Sequence, residues 1–217
     1  MKQKLEKWDR WLGTIYEDMT QQATSRTVFR ETTALIAANP LIPKESDFFD
    51  FLEQWYVDSV VMGLRRQIKI HADSISLAGL LEDIAGTPAL LSRQRFVGLY
   101  PAGESKRAAE AFDRHVGSGA THVDPAAVRA DLDKLRQLAT RCEEYADRLI
   151  AHRDRRPLQA VPTYPELNAA LDFSEALLQR YYLLIRGDGL ASVAAKVLHP
   201  WKRVFEVPWI PTRLTTG

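Results

Sequence analysis

Six positions of this 217-residue chain hold an acid, a guanidinium and an imidazole: Asp147-Arg148-Leu149-Ile150-Ala151-His152. Arg148 and His152 are four apart, and residues at that spacing are neighbours on a helix surface. An imidazole titrates near neutrality, so it can move a proton while an adjacent guanidinium grips a phosphate oxygen. Arg153, Arg155 and Arg156 follow at once and make the segment locally basic. The combination suits phosphate-ester chemistry. His152 would move the proton, Arg148 would hold the phosphate and Asp147 would orient either of them. Arg153 and Arg156 would steer a polyanion. The structural alternative is a basic helix end that complements the macrodipole, with Arg148 paired to Glu144 one turn back.

A second constellation, Arg65, Arg66 and His71, closes an earlier helix. Four residues separate Arg66 from His71, a step of roughly 500° that leaves them about 140° apart on a regular helix. They can share a pocket only where the helix ends or distorts between them. The cluster reads either as a substrate-binding patch, alone or facing Arg148 and His152, or as a solvated basic helix end. Other chemistries find no support. Gly187-Asp188-Gly189 lacks the lysine and following helix of a phosphate-cradling loop. His115, His122 and His199 stand singly, and one cysteine, Cys142, can form neither an internal disulfide nor a zinc site. No metal and no cofactor is expected.

The elements that must carry these residues are helical, because apolar residues recur at helical spacing and strand alternation is nearly absent. Trp8, Trp11, Leu12, Ile15, Tyr16 and Met19 form the stripe of a first helix over 3–22, with a second over 25–38 that stops before Pro40. Ser46 reads as the N-cap of a long helix reaching residue 70. Its apolar residues cover most of the circumference, which predicts a central helix buried on all sides. Short helices are expected over 76–84 and 104–115, with a short apolar piece over 89–96 leading into the turn region 98–103. Asp124 followed by Pro125 is a strong start signal for a helix running to 156, with Cys142 on its apolar face. A last long helix spans 163–186, followed by a short one over 190–198. From 200 to 217 the prolines forbid a helix and favour extended backbone.

Composition is that of an ordinary globular chain, 46% apolar and 26% charged, with a formal net charge of +1. Such a balance provides no global field for nucleic acid, so any contact with it must use a local patch. No apolar run approaches the about 20 residues that cross a bilayer, and the charged start of the chain lacks a signal-peptide core. The setting is read as cytoplasmic and reducing, and 1–217 as one domain with its core at about 5–190.

Arg148-Leu149-Ile150-Ala151-His152-Arg153-Asp154 resembles the end of a HEPN (higher eukaryotes and prokaryotes nucleotide-binding) domain. Leu64-Arg65-Arg66, followed by Ser74-Ile75-Ser76-Leu77 and Leu80-Leu81, is similar to abortive-infection (AbiU-like) HEPN proteins. The resemblance covers about residues 5–190. It implies an all-α up-and-down bundle that usually dimerises, often a metal-independent endoribonuclease of phage defence or a toxin–antitoxin system. The implied partners are RNA, a second copy and an antitoxin or defence protein. The family motif sets four to six residues between an arginine and a following histidine, which His152 matches. The corresponding arginine positions hold Asp147, Ala146 and Tyr145, and Arg148 is one residue closer. Two readings follow: a ribonuclease working through Arg148 and His152, or an inactive helical module that binds a protein or a nucleotide.

Overall fold

The structure is a computed structural model that describes residues 2–43, 45–150, 160–193, 197 and 199–207. It is an all-α helical bundle, and no strand occurs among the described residues. Four long helices, α1 (Lys2–Ala38), α2 (Asp47–Ile68), α6 (Pro125–Tyr145) and α7 (Tyr164–Arg186), pack in a ring in that order, α7 closing back on α1. Three shorter helices, α3 (Leu77–Gly86), α4 (Arg93–Val97) and α5 (Ser105–Val116), lie between α2 and α6 in the chain.

The helix starts follow their capping residues. Ser46 and Ser76 accept hydrogen bonds from the first turns of α2 and α3. The Asp124 carboxylate accepts from Ala126 N–H at 2.9 Å, with Pro125 at the first position of α6. Thr163 and Glu166 form a reciprocal capping box on α7, so two otherwise orphan amides are satisfied.

Several expectations are corrected. The two helices foreseen over 3–22 and 25–38 are one helix of 37 residues. The polar stretch between them contains neither glycine nor proline, and the Thr24 hydroxyl donates to the Thr20 carbonyl at 2.8 Å within the helix. α2 is not buried on all sides. Only its half from Tyr56 onward enters the core, while Phe48, Phe51 and Trp55 are 47%, 58% and 62% exposed. Phe49 and Leu52 face Ile36 and Ala37 of α1 across an open pocket instead of packed side chains. Residues 190–193 are not helical. The tail holds a 3-10 helix, Trp201–Glu206, because the run between Pro200 and Pro208 is proline-free; Lys202 ties it to Glu31 of α1 at 2.9 Å. The tail from Pro208 lies outside the described residues.

Two apolar clusters form the core. The larger joins Trp8, Leu12 and Ile15 of α1 to α3, α4, α5, the first half of α6 and the second half of α7. The smaller holds Tyr56, Val60, Val61 and Leu64 of α2 against Cys142, Tyr145 and Ala146 and against Leu167, Ala170 and Leu171 of α7. Because α6 and α7 run through both, the second cluster fixes where the end of α6 lies relative to α2. α1 comes close to α2 at Gly63, where a Cβ would meet the Gln22 amide at 2.0 Å.

Candidate functional site

The end of α6 does not continue as a regular α-helix to 156. At Ala146–Ile150 the hydrogen bonding widens to a π turn, a feature often associated with functional sites. Ala146 is fully buried and Ile150 packs against the smaller cluster, so the turn is seated on α2. Arg148 therefore sits on a π turn, not on a regular α-helical one. His152, Arg153 and Arg156 lie outside the described residues.

Ion pairs fix this turn to α2. Arg65 Nε donates to Asp147 Oδ1 at 2.6 Å, and Lys69 Nζ lies 3.6 Å from Asp147 Oδ2. Lys69 also pairs with Glu143 one turn earlier. Arg148 is engaged by Glu144 at 3.0 Å, the i,i+4 pairing anticipated as the structural alternative. The Gln54 amide donates to the Tyr145 hydroxyl at 2.7 Å, linking the last α-helical residue to the first half of α2. The guanidinium and carboxylate of the Arg65–Asp147 pair are partly exposed, 30% and 40% respectively. A ligand from solvent can reach both.

The second constellation is split. Successive helical residues diverge by about 100°, so Arg65 turns to α6 while Arg66 turns to Asp18 of α1 at 2.9 Å. α2 ends at Ile68, between Arg66 and His71. His71 is exposed and its ring accepts a hydrogen bond from Asp73 N–H at 3.2 Å. Of the three, Arg65 alone meets the 147–148 segment in the described contacts. This is the facing arrangement, reduced to one arginine.

Lys69 and Glu143 were not foreseen as members. Their signal was present: 65 and 69 are cations four apart, and 143 and 147 are acids four apart. The described part of the patch is also not basic, since Arg65, Lys69 and Arg148 meet Glu143, Glu144 and Asp147. No His, Cys, Asp and Glu grouping that could hold a metal occurs among the described residues.

Beside this face lie two clefts that share Glu53 and Tyr164. One, of about 540 Å³, runs from Asp50, Gln54 and Val57 of α2 past Tyr145 to Val161 and Pro162. The other, of about 690 Å³, lies between α1, α2 and α7 and is walled by Phe29, Tyr56 and Tyr164. The Tyr164 hydroxyl donates to Glu53 Oε1 at 2.6 Å between them.

The family model described as AbiU2, a HEPN family, matches residues 5–204, and the chain belongs to that family. No curated protein and no solved structure matches the chain. No described helix is long and apolar enough to cross a membrane.

Proposed function

We propose that this AbiU2-family chain is a metal-independent endoribonuclease of phage defence or of a toxin–antitoxin system. The observation that carries the reading is the π turn seated on α2 by the Arg65–Asp147 pair. It brings a guanidinium of α2 onto Asp147, the neighbour of Arg148 in the chain, in the segment that leads within two residues of Ile150 to His152. His152 takes the proton from a ribose 2′-hydroxyl or delivers one to the leaving 5′-oxygen. Arg148 binds the phosphate and stabilises the charge that builds on its oxygens. Arg65 supplies a second cation, on the side where the family motif has its arginine and this chain has Asp147. Arg153 and Arg156 attract the backbone, Arg66 and His71 extend the binding surface, and a second copy places two such faces together.

Incubation with total RNA in a chelator tests this, wild type against His152→Ala. The expected result is cleavage with 2′,3′-cyclic phosphate ends that the variant loses by a hundredfold or more, on the order of a missing general acid–base. Equal cleavage by both proteins would sink the reading.

The second reading is a fold-sharing module that no longer cuts and binds a protein partner or a nucleotide. It is favoured by the neutral balance of the described patch, where each named cation already has a carboxylate. RNA that stays intact while the chain is captured by a partner encoded beside it supports that reading.

A further inference from the structure

We infer that the ring-walled pocket between α1, α2 and α7 binds a nucleobase, as a base-selecting subsite beside the 147–148 face. The inference deepens the ribonuclease reading and rests on it for the identity of the polymer.

Phe29 and Tyr56 stack with centroids 4.1 Å apart and planes 2° from parallel. Tyr164 lies 5.9 Å from Phe29 and 6.2 Å from Tyr56, inclined by 26° and 27°. Phe29 and Tyr56 thus cover one face of each other, and Tyr164, beside them on a third helix, lines the pocket and remains 37% exposed. The pocket measures about 690 Å³, within the usual range for small-ligand sites and ample for a purine.

Its polar groups select the kind of planar ligand. Asn168 presents an amide, with a donor and an acceptor, and its side chain makes no hydrogen bond among the described residues. Arg30 adds a guanidinium and Thr33 a hydroxyl at the same pocket. Glu53 adds a carboxylate already engaged by Tyr164. A base edge carries donors and acceptors side by side and a base face stacks on aromatic rings, so both features are used. An apolar helix or acyl chain would leave the Asn168 amide and the Arg30 guanidinium without a ligand partner in the interface, which is costly.

Its position connects it to the chemistry. Glu53 and Tyr164 line this pocket and also the neighbouring cleft, whose other wall includes Tyr145, the residue preceding the π turn. A nucleotide with its base in this pocket can therefore reach that cleft, beside Tyr145, with its sugar–phosphate.

Calorimetric titration with AMP, GMP, CMP and UMP tests the subsite on wild type, Asn168→Ala, Tyr164→Leu and Tyr164→Phe, with melting curves to confirm folding. The expected result is binding that prefers one base and falls roughly tenfold in Asn168→Ala and Tyr164→Leu, in line with stacking and edge contacts. Tyr164→Phe keeps the ring and retains stacking. Failure of wild type to bind any of the four at low-millimolar concentration overturns the inference. So does binding that survives both damaging variants, or a dimer that dissociates on Tyr164→Leu without nucleotide binding. Mononucleotide binding with intact RNA would defeat the ribonuclease reading and leave the subsite standing. His152-dependent cleavage with the same cut sites in wild type and Asn168→Ala would do the reverse.

Discussion

Arg65 and Asp147 show how one residue's role depends on its partner's helix. On sequence, Asp147 orients Arg148 or His152, and Arg65 belongs to a patch that either stands alone or faces them. In the fold the two close on each other at 2.6 Å, across 82 positions of chain. A comparable capture occurs at the other end of the bundle, where Asp83 of α3 receives Lys4 at 2.7 Å and Lys7 and Trp8 Nε1 at 2.9 Å each. Burial alone would raise the Asp83 carboxyl, but those three partners outweigh it and hold it at about 2, against an ordinary 3.8. A carboxyl depressed in the folded state stabilises it above its ordinary value and loses that contribution as pH falls through the folded one. The melting temperature should therefore drop between about pH 4 and pH 2. In Asp83→Asn the drop over that window should be smaller, from a lower starting point. Parallel acid profiles of the two proteins would dismiss Asp83 as a source of acid lability.

Among the elements, α7 is the one whose two ends are most completely specified. Its start is closed by the Thr163–Glu166 capping box. Its last carbonyls, Leu184 and Ile185, accept from the Arg95 guanidinium at 3.0 and 2.5 Å. Gly187 then turns left-handed at φ 74°, and its N–H closes on the Leu183 carbonyl at 2.7 Å. A Cβ at that glycine would come within 2.9 Å of Leu99 Cβ. Gly187→Ala is thus opposed by backbone strain and by contact, and should lower stability by about 1–3 kcal/mol, read from urea unfolding. A change below about 0.5 kcal/mol would show that the turn relaxes freely. The end of α6 is the contrasting case. It has no such stop, and it passes instead into the π turn that α2 holds.

For the whole molecule, the consequence of two apolar clusters spanned by the same two helices is that neither can open alone. Cys142 reports on this, since it lies in the smaller cluster on α6 with no exposed surface. Burial, reinforced by Glu166, pushes its thiol up to about 11, so the thiolate needed for reaction is scarce at neutral pH. A maleimide should label Cys142 only as fast as the bundle unfolds, with labelling and loss of helical signal rising together in denaturant. Labelling complete in minutes under native conditions would mean that the α2–α6 face opens by itself. Such opening would also disturb Arg65 and Asp147.

What the sequence determined by itself was local. Helix periodicity, the Ser46, Ser76, Asp124 and Thr163 starts and the Gly187 stop are legible because each acts through the backbone of its own few residues. The paired motifs around Arg65 and His152 were sufficient to indicate the family. The tertiary structure alone decided which half of α2 is buried, how the α6 end departs from α-helical geometry and which arginine faces it. It also decided that Phe29, Tyr56 and Tyr164, far apart in the chain, meet at one pocket. Those outcomes depend on side chains brought together from different helices. Periodicity assigns a residue to a face, but only packing selects what that face will meet.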